Sequence, residues 1–228
     1  MIKQDTLTPA TIKKINNFWK WFQENEQSIL NAILLGINTE EIKTNLDKKY
    51  SAISTRISLI ISGPVNEKGK YKIIFTAYGY RKLFGKVLGL ENQAPELEHF
   101  IPQAFIKPIQ NMNEFKVGND LPRNYGNHEF KVSELQMELL EYNSDRKILK
   151  IKVYLPYYNQ LENNDQLASI IDLIVMNIIG EIAFRKHIRY IQLDQIPTRT
   201  HGLLSLIELP EFIESLIKIN ARGKTRQI

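Results

Sequence analysis

The chain has 228 residues, 43% of them hydrophobic and 24% charged, which gives ample material for a folded core and excludes wholesale disorder. It carries 30 Lys and Arg against 25 Asp and Glu, but residues 218–228 supply +4 of the net +5 through Lys218, Arg222, Lys224 and Arg226 with no acid, so the basicity reads as a solubilising, frayed tail behind a near-neutral 1–217 rather than as a phosphate-tracking groove. The absence of cysteine excludes disulfide frameworks and thiolate metal sites.

The first predicted element is helical. Ile12, Ile15, Trp19, Phe22, Glu26, Ile29 and Ile33 recur at spacings of three and four, and only Glu26 breaks the apolar stripe. Thr8 is placed to cap this helix, with Pro9 at its first position and Gly36 as its stop. Trp21 does not share the stripe. At about 100° per residue it projects roughly 130° from the stripe's centre, towards solvent or a partner. A second helix is expected from Thr39, where Glu40 and Glu41 suit the positive end of the dipole.

The period then changes to two. Residues 53–61 and 71–77 alternate as a strand pair, with Gly63-Pro64 and Lys68-Gly69 in the turn. A short helix is expected at Arg81–Leu90. Further strands follow at Gln103–Ile109, Glu114–Val117, Leu135–Tyr142 and Ile148–Leu155, with Gly118–Asn127 as an exposed insertion. Leu167–Arg185 is apolar almost all round, which predicts a buried central helix. Ser169, Asp172, Asn177 and Glu181 make it too polar to span a bilayer. A strand at Ile188–Leu193 and a helix at Pro210–Ile219 complete an α+β pattern: one domain over 1–217 with an antiparallel or mixed sheet, and a basic tail over 218–228. Met1–Lys14 has no apolar signal core, so a cytoplasmic soluble protein is expected.

Catalytic patterns are sparse. His99, His128, His187 and His201 make no pair at metal-binding spacing, so neither a metal nor another cofactor is expected. Gly79 to Gly85-Lys86 fails as a phosphate loop, with five residues between the glycines where four are needed and Val87 in place of a hydroxyl. Asp172 and Glu181 lie nine residues apart, about 900° around a helix and on opposite faces, so they form no dyad. Asp172 nevertheless sits among Ile171, Leu173 and Met176, where a carboxylate needs partners or a raised pKa. The near-repeat Asn113-Glu-Phe-Lys-Val and His128-Glu-Phe-Lys-Val places Glu114 and Glu129 in Glu-X-Lys strands of the kind that metal-dependent nucleases use with an upstream aspartate such as Asp120. Plain strand alternation, with Phe115 and Phe130 inward and charges outward, is the simpler account. Aromatics at Tyr154, Tyr157 and Tyr158 and at Tyr78 and Tyr80 suit core edges or a protein interface.

Several segments together resemble a widespread, largely uncharacterised bacterial α+β family. They are Phe18-Trp19-Lys20-Trp21-Phe22 with Asn25-Glu26, Ala94-Pro95-Glu96-Leu97 with Ala104-Phe105, Ile171-Asp172 with Ile179-Gly180-Glu181, and Ile207-Glu208-Leu209-Pro210-Glu211-Phe212-Ile213. The chain departs from that pattern at Phe100, where Trp is usual, at Tyr78, where a small acidic residue is common, and in the long 118–127 insertion. The resemblance implies an α+β domain and no established reaction. Some relatives are similar to small cytoplasmic proteins encoded near toxin-type or secretion-type systems, which implies an immunity or adaptor role. The leading expectation is therefore a non-enzymatic protein-interaction module using Trp21, Tyr157 and Tyr158. The alternatives are a metal-dependent hydrolase with Asp172, Glu114 or Glu129 as acids, and nucleic-acid binding through the tail.

Overall fold

The computed structural model describes residues 7–64, 69–110, 112–125, 128–161 and 164–224. The α+β class expected from the sequence is what it shows, with helices around mixed and antiparallel sheets. Within the chain, two compact units form, Met1–Ile106 and Lys107–Ile228.

The first unit opens with α1 (Pro9–Glu24), α2 (Glu26–Leu35) and α3 (Thr39–Ser51). The Thr8 side chain accepts the Thr11 N–H at 3.2 Å, and Pro9 takes the first helical position. The expected single helix to Leu35 is broken at Asn25, whose φ of −117° leaves the helical range. Asn25 Nδ2 there donates to the Trp21 carbonyl at 2.8 Å. The break explains the polar residue in the stripe: Glu26 Oε1 accepts the His99 N–H at 2.7 Å.

Strands β1 (Ser58–Ser62) and β2 (Tyr71–Thr76) pair antiparallel, Ser58 opposite Thr76. Helix α4 (Phe84–Asn92) then crosses over to β3 (Phe100–Ala104), which runs parallel to β2. The alternation at 53–57 does not belong to the strand. Those residues turn out of α3, with the Ile53 N–H on the Tyr50 carbonyl and the Ile57 N–H on the Ser54 carbonyl, while both isoleucines stay buried. The core of this unit is aromatic: Phe18, Trp19 and Phe22 of α1 meet Phe75 of β2 and Phe100 of β3.

The second unit holds α5 (Asn113–Lys116), a small hairpin of β4 (Arg123–Tyr125) and β5 (His128–Phe130), and the meander of β6 (Gln136–Asn143) and β7 (Ile148–Leu155). Then come α6 (Tyr158–Leu161), α7 (Leu167–Ile179), α8 (Glu181–His187), β8 (Ile188–Gln195), β9 (Leu204–Ser205) and α9 (Leu209–Lys224). The main sheet has the order β8-β7-β6-β9, with β7 and β8 parallel. Leu149, Ile151, Val153 and Leu155 of β7 are buried with Ile171, Ile174, Val175 and Ile178 of α7, as alternation on a strand and a wide apolar face on a helix require.

Three sequence expectations are corrected here. Residues 114–117 form no strand, because Asn113–Lys116 is a turn of helix that seats Phe115 in the core. The central helix does not run unbroken over 167–185: it stops at Gly180 (φ 82°, ψ 147°) and resumes as α8 at a bend of 108°. The basic tail is not frayed from residue 218, since α9 continues to Lys224, beyond which lie residues outside the described set. No single helix among the described residues is long and apolar enough to cross a membrane.

Candidate functional site

Trp21 does not stand free. It is half-buried against the core of the first unit, and the Lys49 ammonium lies 5.6 Å over its ring, a favourable cation–π arrangement. A helical wheel identifies the stripe that faces the sheet. It is blind to α3, which brings Lys49 to the other side of α1. The expectation of an outward Trp21 is corrected accordingly. Of the other interface candidates, Tyr157 is 62% exposed, whereas Tyr158 packs partly buried on the core of the second unit.

The acid candidates do not assemble. Glu114 is exposed on α5, and Glu129 is exposed on β5. Asp120 is buried, its Oδ2 accepting the Ser133 N–H at 3.2 Å. Among the described residues no group of three His, Asp or Glu side chains is placed to hold a metal ion. Phe115 and Phe130 are both buried in one core, Phe130 from a strand as alternation predicts and Phe115 from a turn of helix, and Arg123 stacks 5.1 Å over the Phe115 ring.

Asp172 is half-buried on α7, and loss of hydration pushes its carboxyl pKa up. The folded state therefore holds the proton more tightly than the unfolded chain. Stability falls as pH rises from the ordinary aspartate value to the raised one, and the penalty persists above it. Asp172→Asn is expected to raise the thermal midpoint at neutral pH, with the gain vanishing below about pH 3.9. Melting curves at several pH values check this, and a lower midpoint at neutral pH would show instead that the carboxylate makes stabilising bonds.

A cleft of ≈ 470 Å³ in the second unit is lined by Lys116, Ser205, Ile207, Glu208 and Glu211. Its polar groups are already engaged. Lys116 Nζ lies 2.6 Å from Glu211 Oε1, and that hydrogen bond holds the Glu211 carboxyl below its usual range. Ser205 and Glu208 cap one another at the start of the turn leading into α9. This arrangement fixes α5 to α9 and offers no activated nucleophile.

His187 is buried beside its helix end, with its Nδ1 at 2.9 Å from the Lys147 carbonyl. Burial pushes its pKa down, so the neutral ring donates that bond. His187 is thus a neutral histidine that ties the end of α8 to the backbone at Lys147.

No protein family, curated protein or solved structure matches this chain. The site is thus read from geometry alone, and two surfaces of the first unit stand out. At the end of α2, Ile33, Leu34, Leu35 and Ile37 are exposed by 38, 57, 66 and 50%. Gly36, in a left-handed conformation (φ 68°), closes the helix between them. The flanking positions Glu26, Glu40 and Glu41 make residues 26–41 purely acidic.

The other surface lies where α3 ends and β2 stops. The Arg56 guanidinium stands 5.2 Å over the Tyr80 ring, and Lys86 Nζ donates to the Ile53 carbonyl at 3.1 Å. Tyr50 donates to Asp47 at 2.9 Å. Burial, that hydrogen bond and the nearby Tyr78 phenol push the Tyr50 pKa up to about 12. Sequence reading missed the first surface, and of the second it found only Tyr78 and Tyr80, which it assigned to a core edge or a protein interface. The signals of the two surfaces were present as an apolar run ahead of a glycine and as a long stretch without acids.

Proposed function

We propose that the chain is a cytoplasmic protein-interaction module of immunity or adaptor type, with no catalytic role of its own. The observation that carries this reading is the exposed run Ile33-Leu34-Leu35-Gly36-Ile37 at the α2–α3 turn. Adjacent exposed aliphatic side chains on a soluble surface mark contact sites far more often than scattered ones do. Three acids and no base within residues 26–41 fit a partner that offers an apolar cleft rimmed by Lys or Arg. The resemblance of the Phe18–Phe22 and Ile207–Ile213 segments to the bacterial family supports the same class of role. The hydrolase alternative has less support, because Glu114 and Glu129 are exposed on separate elements.

Leu34→Glu/Leu35→Glu is the test. Both side chains are exposed, so the variant should keep the wild-type circular dichroism and melting curve. A partner captured by wild type, then purified and titrated by calorimetry, should bind the variant at least about thirtyfold more weakly, the scale of a missing interface anchor of ~2 kcal/mol. Affinity should also fall with added salt. Equal affinity for both chains would remove the α2–α3 turn from the interface.

A further inference from the structure

The end of the first sheet carries a basic and aromatic surface that the protein-binding reading does not use. Antiparallel register sets Ser58 opposite Thr76, so residues 52–57 and 77–83 leave the sheet side by side. This is also the carboxyl end of β2, from which α4 begins its crossover to the parallel strand β3. Loops at such strand ends are the usual ligand-contacting positions of parallel strand pairs.

The cations here are gathered on folded elements. Arg56, Arg81, Lys82 and Lys86 fall at this end of the sheet, with Asp47, held by Tyr50, as the neighbouring acid, while Lys70 and Lys72 belong to the opposite end of β2. Summing charge over 1–217 conceals this, because acids elsewhere cancel it. Arg56, Arg81 and Lys82 are exposed. Tyr78 and Tyr80 are exposed by 47 and 41% within the same loop. Tyr78 also takes a left-handed backbone conformation (φ 46°) ahead of Gly79 (φ 75°). A bulky side chain rarely adopts that conformation, and residues held so are common at sites of function.

We propose that this surface binds a single-stranded polynucleotide, with bases stacked on Tyr78 and Tyr80 and phosphates paired with Arg56, Arg81 and Lys82. Tyrosine faces flanked by cations are the combination that holds unpaired strands, since every base has a π-face and the cations track the backbone. The guanidinium already stacked on Tyr80 offers its outer plane to a further base. A duplex hides its base faces and would leave the two rings unused. An acidic peptide would engage the cations but not the rings.

The experiment uses the full chain and fluorescein-labelled oligo(U) and oligo(dT) of about 12 nucleotides, followed by anisotropy between ~50 and ~200 mM salt. A blunt DNA duplex and heparin serve as competitors. At least one strand should bind, with affinity falling as salt rises, and the two strands together show whether RNA or DNA is preferred. Tyr78→Gly/Tyr80→Ala should weaken binding about tenfold or more with the salt dependence unchanged. Arg81→Ala/Lys82→Ala should instead reduce the log–log salt slope by roughly 1.4, about 0.7 for each phosphate no longer neutralised. Exposure of Arg81 and Lys82 keeps that second pair informative if the tyrosine pair fails to fold. A third chain with Arg222→Gln, Lys224→Gln and Arg226→Gln should bind as wild type.

The proposal is overturned if neither strand binds, or if duplex or heparin competes as well as unlabelled single strand. It is overturned equally if the tyrosine variant keeps wild-type affinity, or if the tail substitutions abolish binding.

Discussion

Trp19→Phe is expected to destabilise the first unit by about 2 kcal/mol, and Trp19→Ala by about 3–5 kcal/mol. The indole Nε1–H donates to the Leu90 carbonyl at 2.8 Å, both buried and 71 residues apart. Phenylalanine keeps an apolar ring but leaves that carbonyl without its donor, at a desolvation cost of about 1–3 kcal/mol. Alanine also removes edge contacts with Phe18, Phe22 and Phe75, whose ring centroids lie 4.9, 5.7 and 5.6 Å away, and opens a cavity beside them. Urea denaturation followed by circular dichroism measures the loss. Hydrogen exchange should localise it to residues 9–24, 71–76 and 84–92. A loss below about 0.5 kcal/mol for both variants would mean that α1 is not anchored through this side chain.

The same residue shows what was legible in the sequence. Of the stripe placed by spacing alone, Ile15, Trp19, Phe22 and Ile29 are at most 2% exposed, whereas Ile12 is only partly buried and Ile33, beyond the break at Asn25, is 38% exposed. Thr8, Pro9 and Gly36 marked helix ends correctly because each acts on the backbone beside it, and Thr39 opens α3 as expected. Strand β7 was bounded correctly because its alternation feeds one core. Local pattern failed where a distant contact decides. Nothing near Asn113–Lys116 distinguishes a turn of helix from a strand, since Phe115 reaches a core in either form. Glu26 broke the stripe for a reason 73 residues away, the His99 N–H.

The site was less legible than the fold, and for a related reason. Trp21 attracted attention as the aromatic off the stripe, but the structure covers it with Lys49. The informative residues were individually ordinary. Leu34 and Leu35 become notable only once α2 ends in solvent, and Arg56 only once sheet register sets it beside Tyr80. These two surfaces lie at opposite ends of α3, about 20 Å apart for thirteen residues of helix. One end is apolar and acidic, the other aromatic and basic. Net charge hides that division, because acids elsewhere in the chain offset the basic end, and so total charge gave no warning of it.

Gly180→Ala is expected to cost the second unit about 2–3 kcal/mol. The position combines φ 82° with ψ 147°, a region that residues with a Cβ occupy only under strain of order 1–3 kcal/mol. Elsewhere the same substitution in a helix interior would stabilise by about 1 kcal/mol, so the sign of the effect reports the backbone directly. Relaxing the strain by continuing the helix is closed to the chain. A straight α7–α8 would remove the 108° bend, carry Glu181 and His187 out of their buried positions, and break the His187 bond to the Lys147 carbonyl. It would also misdirect β8, which must return parallel to β7 from Ile188. The sequence held the signal, a single glycine in an otherwise unbroken apolar helix pattern, and its meaning depended on where the next strand had to begin. Denaturant titration of wild type and variant decides the matter: a stabilised Gly180→Ala chain would show that residue 180 adopts ordinary helical angles and that α7 and α8 form one rod.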